Sequence, residues 1–174
     1  MNKKEMIELL KKCDAIKFGR FVLTSGAISD YYIDIKKAST NPEILKKIAE
    51  SMKEYAEGYD YIAGMELGAV PLIVALSLET NIPYVIIRKD VKKHGTNKNI
   101  EGDNVSGKKV LIVEDVTTSG GSVVKAINII RQNKGLVDEV VVVVDRESGA
   151  EKKIRKHDVN FIPILSVSDI LKNS

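Results

Sequence analysis

Five consecutive valines, Val140–Val144, constrain the fold more than any other stretch of this chain. β-Branched side chains are stiff at their first torsion and suit a pleated strand. A strand that is apolar at every position has no face for water, so both faces must be covered. Shorter apolar runs repeat the signal at Tyr59–Ala63, Pro83–Ile87, Val110–Val113 and Phe161–Leu165. Helical segments lie between them. One is opened by Asn41-Pro42 and runs to about Tyr55, one covers Val70–Glu79, and one follows Gly120-Gly121 to Arg131. Asn41 suits an N-cap and Pro42 a first helical turn. Strands alternating with helices predict an α/β fold of three layers, with a mostly parallel central sheet flanked by helices.

The start of the chain reads differently. Met6, Ile7, Leu9 and Leu10 stand among charges over residues 3–13, as in a short amphipathic helix. Phe18–Leu23 and Tyr31–Ile35 flank Thr24-Ser25-Gly26 and predict a hairpin. With no repeat or linker in view, residues 1–174 are expected to form one domain, with 1–40 as its N-terminal extension.

Composition narrows the function classes. The formal net charge is only +3, with Lys and Glu interspersed, so no nucleic-acid footprint is expected. No apolar run approaches the roughly 20 residues that cross a bilayer, and the charged start lacks a signal-peptide core. Cys13 is the single cysteine, which excludes an internal disulfide and suits a reducing, cytoplasmic setting.

The chemistry concentrates in Val110–Ser122. In open α/β sheets ligands bind beyond the carboxyl ends of the strands. There Glu114 and Asp115 stand side by side after Val113. Adjacent carboxylates repel, and hydroxyl donors or a cation relieve them; a sugar diol supplies the first and Mg²⁺ the second. Val116, Thr117, Thr118, Ser119, Gly120, Gly121 and Ser122 follow, with four hydroxyls and two glycines ahead of a helix. A glycine turn aims backbone N–H groups inward, and the helix start adds about half a positive charge. Together they suit a phosphate monoester. The bland alternative is an ordinary turn with Ser119 or Ser122 as N-cap. No P-loop or G-x-G-x-x-G pattern is present, which weighs against ATP and dinucleotides.

Arg88–Lys109 breaks the rhythm of strands and helices. It is polar and basic, holds three glycines and has no apolar period. A structureless segment of this length in a compact domain is usually functional or disordered, and the bland alternative is a solvated loop.

The 13 residues Val110–Ser122 resemble the phosphoribosyl-diphosphate motif of type I phosphoribosyltransferases. Arg88–Gly95 resembles the R-K-x-x-K-x-H-G segment of the orotate-specific members. Asp145–Gly149 is similar to the segment whose arginine reaches the orotate. Thr24 and Gly68 depart from the family, where lysines are common at both positions.

The resemblance implies a transfer from 5-phosphoribosyl-1-diphosphate to orotate in the synthesis of UMP. It assigns the ribose hydroxyls to Glu114 and Asp115, with Asp115 counted as catalytic. It assigns the 5′-phosphate to the segment from Val116 through Thr117, Thr118, Ser119, Gly120 and Gly121 to Ser122. It makes 88–109 a mobile catalytic loop, in which Lys92 and His94 are the catalytic pair facing the departing diphosphate, and Arg88 and Lys89 bind phosphate oxygens at the loop's base. Arg146 grips the orotate carboxylate, Thr118 touches the base, and Tyr31 and Tyr32 are weaker base contacts. Mg²⁺ is expected to arrive on the diphosphate, with no ligands from the protein. A homodimer with shared active sites is also implied. The alternatives are a phosphoribosyltransferase for a purine and a non-catalytic regulator that senses the same sugar diphosphate.

Overall fold

The computed structural model describes residues 1–22, 26, 28–89 and 99–173. Its main sheet follows the predicted alternation. β3 (Tyr61–Met65), β4 (Tyr84–Ile87), β6 (Val110–Thr117), β7 (Glu139–Asp145) and β8 (Asn160–Ser166) run parallel. β5 (Ile100–Glu101) adds a short antiparallel edge, and the strand order is β5-β4-β3-β6-β7-β8. The chain therefore leaves β3 toward one edge and returns on its other side as β6. Such a reversal opens a crevice at the carboxyl ends of the two strands.

β6 feeds two cores by its period of two, and β7 does so from Val140 to Val143. Leu111 and Val113 of β6, with Val141 and Val143 of β7, meet one set of helices. These are α1 (Lys3–Lys12), α2 (Ile35–Ser39), α3 (Pro42–Met52), α4 (Val70–Thr80) and α7 (Val167–Lys172). Val110, Ile112, Val140 and Val142 point the other way, toward α5 (Gly121–Gln132) and α6 (Ala150–Arg155). All five valines of β7 are fully buried. Burying one such side chain contributes about 1.5–3 kcal/mol, so this strand anchors both layers. No helix among the described residues is long and apolar enough to cross a membrane.

Several boundaries differ from the sequence reading. The hairpin is β1 (Ile16–Val22) with β2 (Ile28–Ile33), and Ile35 opens α2 instead of closing a strand. Asp34 caps that helix by accepting from the Lys37 N–H. α3 stops at Met52 and passes into one 3₁₀ turn, Lys53–Ala56. The larger correction concerns β6, which continues through Thr117 instead of ending at Val113. Glu114, Val116 and Thr117 keep their register with Val142, Val144 and Asp145 of β7. β3 pairs with β6 only as far as Val113, so β7 alone carries the ladder through the acids, where each broken bond would leave two backbone groups unpaired. Within 88–109, Ile100 pairs with Ile87 and Val105 is buried, so that end of the segment is part of the sheet edge.

Candidate active site

The crevice between β3 and β6 holds the predicted acids. Glu114 and Asp115 are buried, at 7% and 9% exposure, on the carboxyl half of β6. Glu114 Oε2 accepts from the Ser122 hydroxyl at 3.0 Å, and its Oε1 accepts from the Asp115 N–H at 3.1 Å. The Glu114 carboxyl is pushed up to about 8, first by burial and then by the hydrogen bond to and the charge of Asp115. The Ser122 hydroxyl and the Asp115 N–H pull in the opposite direction without prevailing.

The sign of that shift gives a test. The folded protein holds a proton on Glu114 that the unfolded chain releases near 4.5. This contribution to stability is full below about 4.5 and is lost as pH rises toward about 8. Glu114→Gln keeps the shape and removes the titration. The variant is expected to lose less melting temperature than wild type between pH 5 and pH 8, by a few degrees, since about 1 kcal/mol moves Tm by roughly 2–4 °C in a domain of this size. Thermal melts at the two pH values decide it, and parallel behaviour of both proteins would contradict the assignment.

Beyond the acids the turn is shorter than predicted, because Val116 and Thr117 belong to the strand. Thr118 and Ser119 are exposed at the tip. Neither Ser119 nor Ser122 caps α5. Its N-cap is Gly120, at φ 76°, with no side-chain hydrogen bond. A Cβ at Gly120 would also sit 3.1 Å from Ala150 Cα, so the left-handed turn and the close approach of α6 both require glycine. The helix thus presents its first N–H groups without a side-chain acceptor, the arrangement that receives anions. Buried Thr117 Oγ1 has no hydrogen-bond partner among the described residues, which leaves a polar atom at this turn for a ligand to engage.

Three neighbours complete the crevice. After β3, Glu66-Leu67-Gly68 turns against Asp115 so closely that a Cβ at Gly68 would lie 2.1 Å from Asp115 Oδ2. Glu66 gathers the root of the basic segment. It accepts from the Lys89 N–H at 2.8 Å and stands 3.6 Å from Arg88 Nε. Glu101 receives Arg88 Nη1 at 3.1 Å, and Lys125 donates its ammonium to the Lys89 carbonyl. On the far side, the Arg146 N–H donates to the Thr117 carbonyl at 2.9 Å, and its guanidinium lies 5.3 Å from the Tyr31 ring centre. No ion pair of Arg146 is present among the described residues. Tyr31 therefore stands under the arginine, while Tyr32 packs on Phe21 at 5.7 Å.

The structure thus brings together Arg88, Lys89, Glu114, Asp115, the 116–122 segment and Arg146. Lys92 and His94 lie outside the described residues. Sequence reading missed Glu66, Glu101 and Lys125, whose roles arise from contacts 13 to 36 positions away in the chain. A cleft of about 1100 Å³ lies elsewhere, where β3 and β4 begin, and is lined by Tyr55, Asn81 and Pro163 among others. It gathers none of the predicted site residues.

A parallel sheet whose reversal point ends in paired acids and an open helix start defines a phosphoribosyl transferase domain, and the model of that family matches residues 34–170. The chain belongs to the orotate phosphoribosyltransferase family. It is 54% identical to the orotate phosphoribosyltransferase of Pyrococcus horikoshii, covering 98% of this chain and 94% of that one. The crystal structure of Mycobacterium tuberculosis orotate phosphoribosyltransferase with Fe(III) dicitrate superposes with a TM-score of 0.84 at 32% identity, over 96% of this chain and 97% of that chain. The same enzyme in complex with 5-phospho-alpha-D-ribosyl 1-diphosphate gives a TM-score of 0.80 at 29% identity, over 96% of this chain and 97% of that chain.

Proposed function

We infer that this chain transfers the phosphoribosyl group of 5-phosphoribosyl-1-diphosphate to orotate, giving orotidine 5′-monophosphate and diphosphate in pyrimidine synthesis. The observation that carries the reading is the acid pair of β6 set between an uncapped helix start and Arg146. Glu114 and Asp115 accept from the ribose 2′- and 3′-hydroxyls. The 5′-phosphate lies against Thr117–Ser122, where free N–H groups and hydroxyls converge. Arg146 meets the orotate carboxylate with its planar fork, and Tyr31 holds the guanidinium from the other side. Thr118 stands at the exposed tip between the two substrates.

In the reaction N1 of orotate bonds to C1 and gives up its proton to solvent or to the departing diphosphate, as the bond from C1 to the diphosphate oxygen breaks with its electron pair. Positive charge builds on the ring and negative charge on the leaving group. Groups fixed in advance toward that charge lower the barrier most when water is excluded. Lys92 and His94 take the leaving oxygens, and Arg88 and Lys89 receive phosphate oxygens at the root of the same segment. Mg²⁺ would come on the diphosphate with several of its waters and without ligands from the protein. When bound, that ion neutralises part of the leaving charge.

Orotate consumption that depends on both the sugar diphosphate and Mg²⁺ tests the reading. Exclusive use of a purine base would overturn it, since purines carry no carboxylate for Arg146.

The assembly in this reading is a homodimer in the cytoplasm, with each basic segment serving the neighbour's site. Residues 1–40 form the hood over that site, and the catalytic part of 88–109 is the stretch before Ile100, where the sheet edge begins. Mixing inactive Lys92→Ala and Asp115→Ala subunits is expected to restore roughly a quarter of wild-type activity, because random pairing makes half the dimers hybrid, each with one intact site. Verified hybrids without activity would count against shared sites.

A further inference from the structure

Among the described residues, Asp115 has one cationic neighbour. Lys36 Nζ lies 3.9 Å from Asp115 Oδ2 and 3.6 Å from Asp34 Oδ1. Lys36 stands in the first turn of α2, directly after the hairpin. Its side chain is 59% exposed, so these contacts are loose and worth little in water. Gly68 packs on the same carboxylate. The start of α2, the turn after β3 and the end of β6 therefore converge on Asp115.

We infer that Lys36 is a ligand of the diphosphate of the activated sugar, a role that rests on the function proposed above. Ribose hydroxyls held by Glu114 and Asp115 place C1, and the diphosphate it carries, beside those acids. The diphosphate brings several negative charges to that point. Arg88 already faces two carboxylates, Glu66 and Glu101, which offset part of its charge. Lys36 holds an exposed ammonium on a flexible stem at the acid that the sugar must reach. Once ribose hydroxyls become the donors to Asp115, the ammonium turns to the diphosphate oxygens with little reorganisation. The competing role is a tie that fastens the hairpin segment to the sheet.

Calorimetric titration with the sugar diphosphate and with ribose 5-phosphate, which lacks the diphosphate, separates the two roles. The proteins are wild type, Lys36→Ala and Lys36→Arg, each with a thermal melt. Lys36→Ala is expected to weaken the sugar diphosphate roughly ten- to hundredfold, the worth of a charge-assisted contact. Ribose 5-phosphate should stay within about twofold, as for loss of an exposed ion pair. Lys36→Arg should recover most of the loss. Equal weakening of both ligands would overturn the assignment and make Lys36 a servant of Asp115. Unchanged affinities with a lowered melting point would overturn it in favour of the structural tie. Wild type that binds neither ligand would instead bring down the proposed function itself.

Discussion

Gly68→Ala is expected to fold and yet lose roughly a hundredfold or more in kcat/KM, because a misplacement of about 1 Å in a reacting site costs that much. The added Cβ would lie 2.1 Å from Asp115 Oδ2, 2.5 Å from its Cγ and 2.8 Å from Oδ1. No side-chain rotation at residue 68 relieves this, since the Cβ is fixed by the backbone. Either the carboxylate or the turn after β3 must move. The crowded atoms are the tip of the Asp115 side chain, so it is the carboxylate that swings aside and loses its aim. Overpacking of this kind costs about 1–3 kcal/mol, which lowers Tm by several degrees and leaves a folded enzyme to assay. Adding Asp115→Gly should restore the melting temperature but not the activity. A Gly68→Ala enzyme with wild-type kcat/KM would show that Asp115 does not set the position of the ribose.

The second large effect is at Arg146. Arg146→Ala should lower kcat/KM for orotate by roughly a hundredfold or more, the usual consequence of truncating one side of a desolvated charge pair. Affinity for the sugar diphosphate should hardly change, because the phosphate turn and the acids lie on β6 and α5 rather than on this segment. Arg146→Lys keeps the charge but loses the planar fork and the flat contact with Tyr31, so it should recover only part of the loss. Tyr31→Leu should raise KM for orotate less than Arg146→Ala does. Steady-state kinetics with each substrate varied in turn gives all four results. Equal loss of affinity for both substrates in Arg146→Ala would mean that the arginine supports the site as a whole.

Much of this was legible in the chain because its local signals agree. The valine run of β7, the Asn41-Pro42 start of α3 and the acid pair each announce themselves within a few residues. The extent of β6 was not legible. Glu114 and Asp115 look like the end of a strand until β7 is seen to pair onward as far as Thr117. α7 carried a signal that went unread: Ser166 and Asp169 form a capping box. α6 is six residues long and mostly charged, so it lacks an apolar period to detect. Lys36, Glu66 and Glu101 could not be read locally, because their partners come from other strands.

The root of the basic segment carries a mechanical consequence. Arg88 donates its N–H to the Asn99 carbonyl at 2.9 Å and its side chain to Glu101 at 3.1 Å. Both ends of the intervening peptide are therefore stitched to one point of the sheet edge. Glu66 closes the clasp from the β3 side by accepting from the Lys89 N–H at 2.8 Å. Arg88 thus works as a rivet through the sheet edge, and Glu101→Ala should loosen one side of it while the β4–β5 ladder holds.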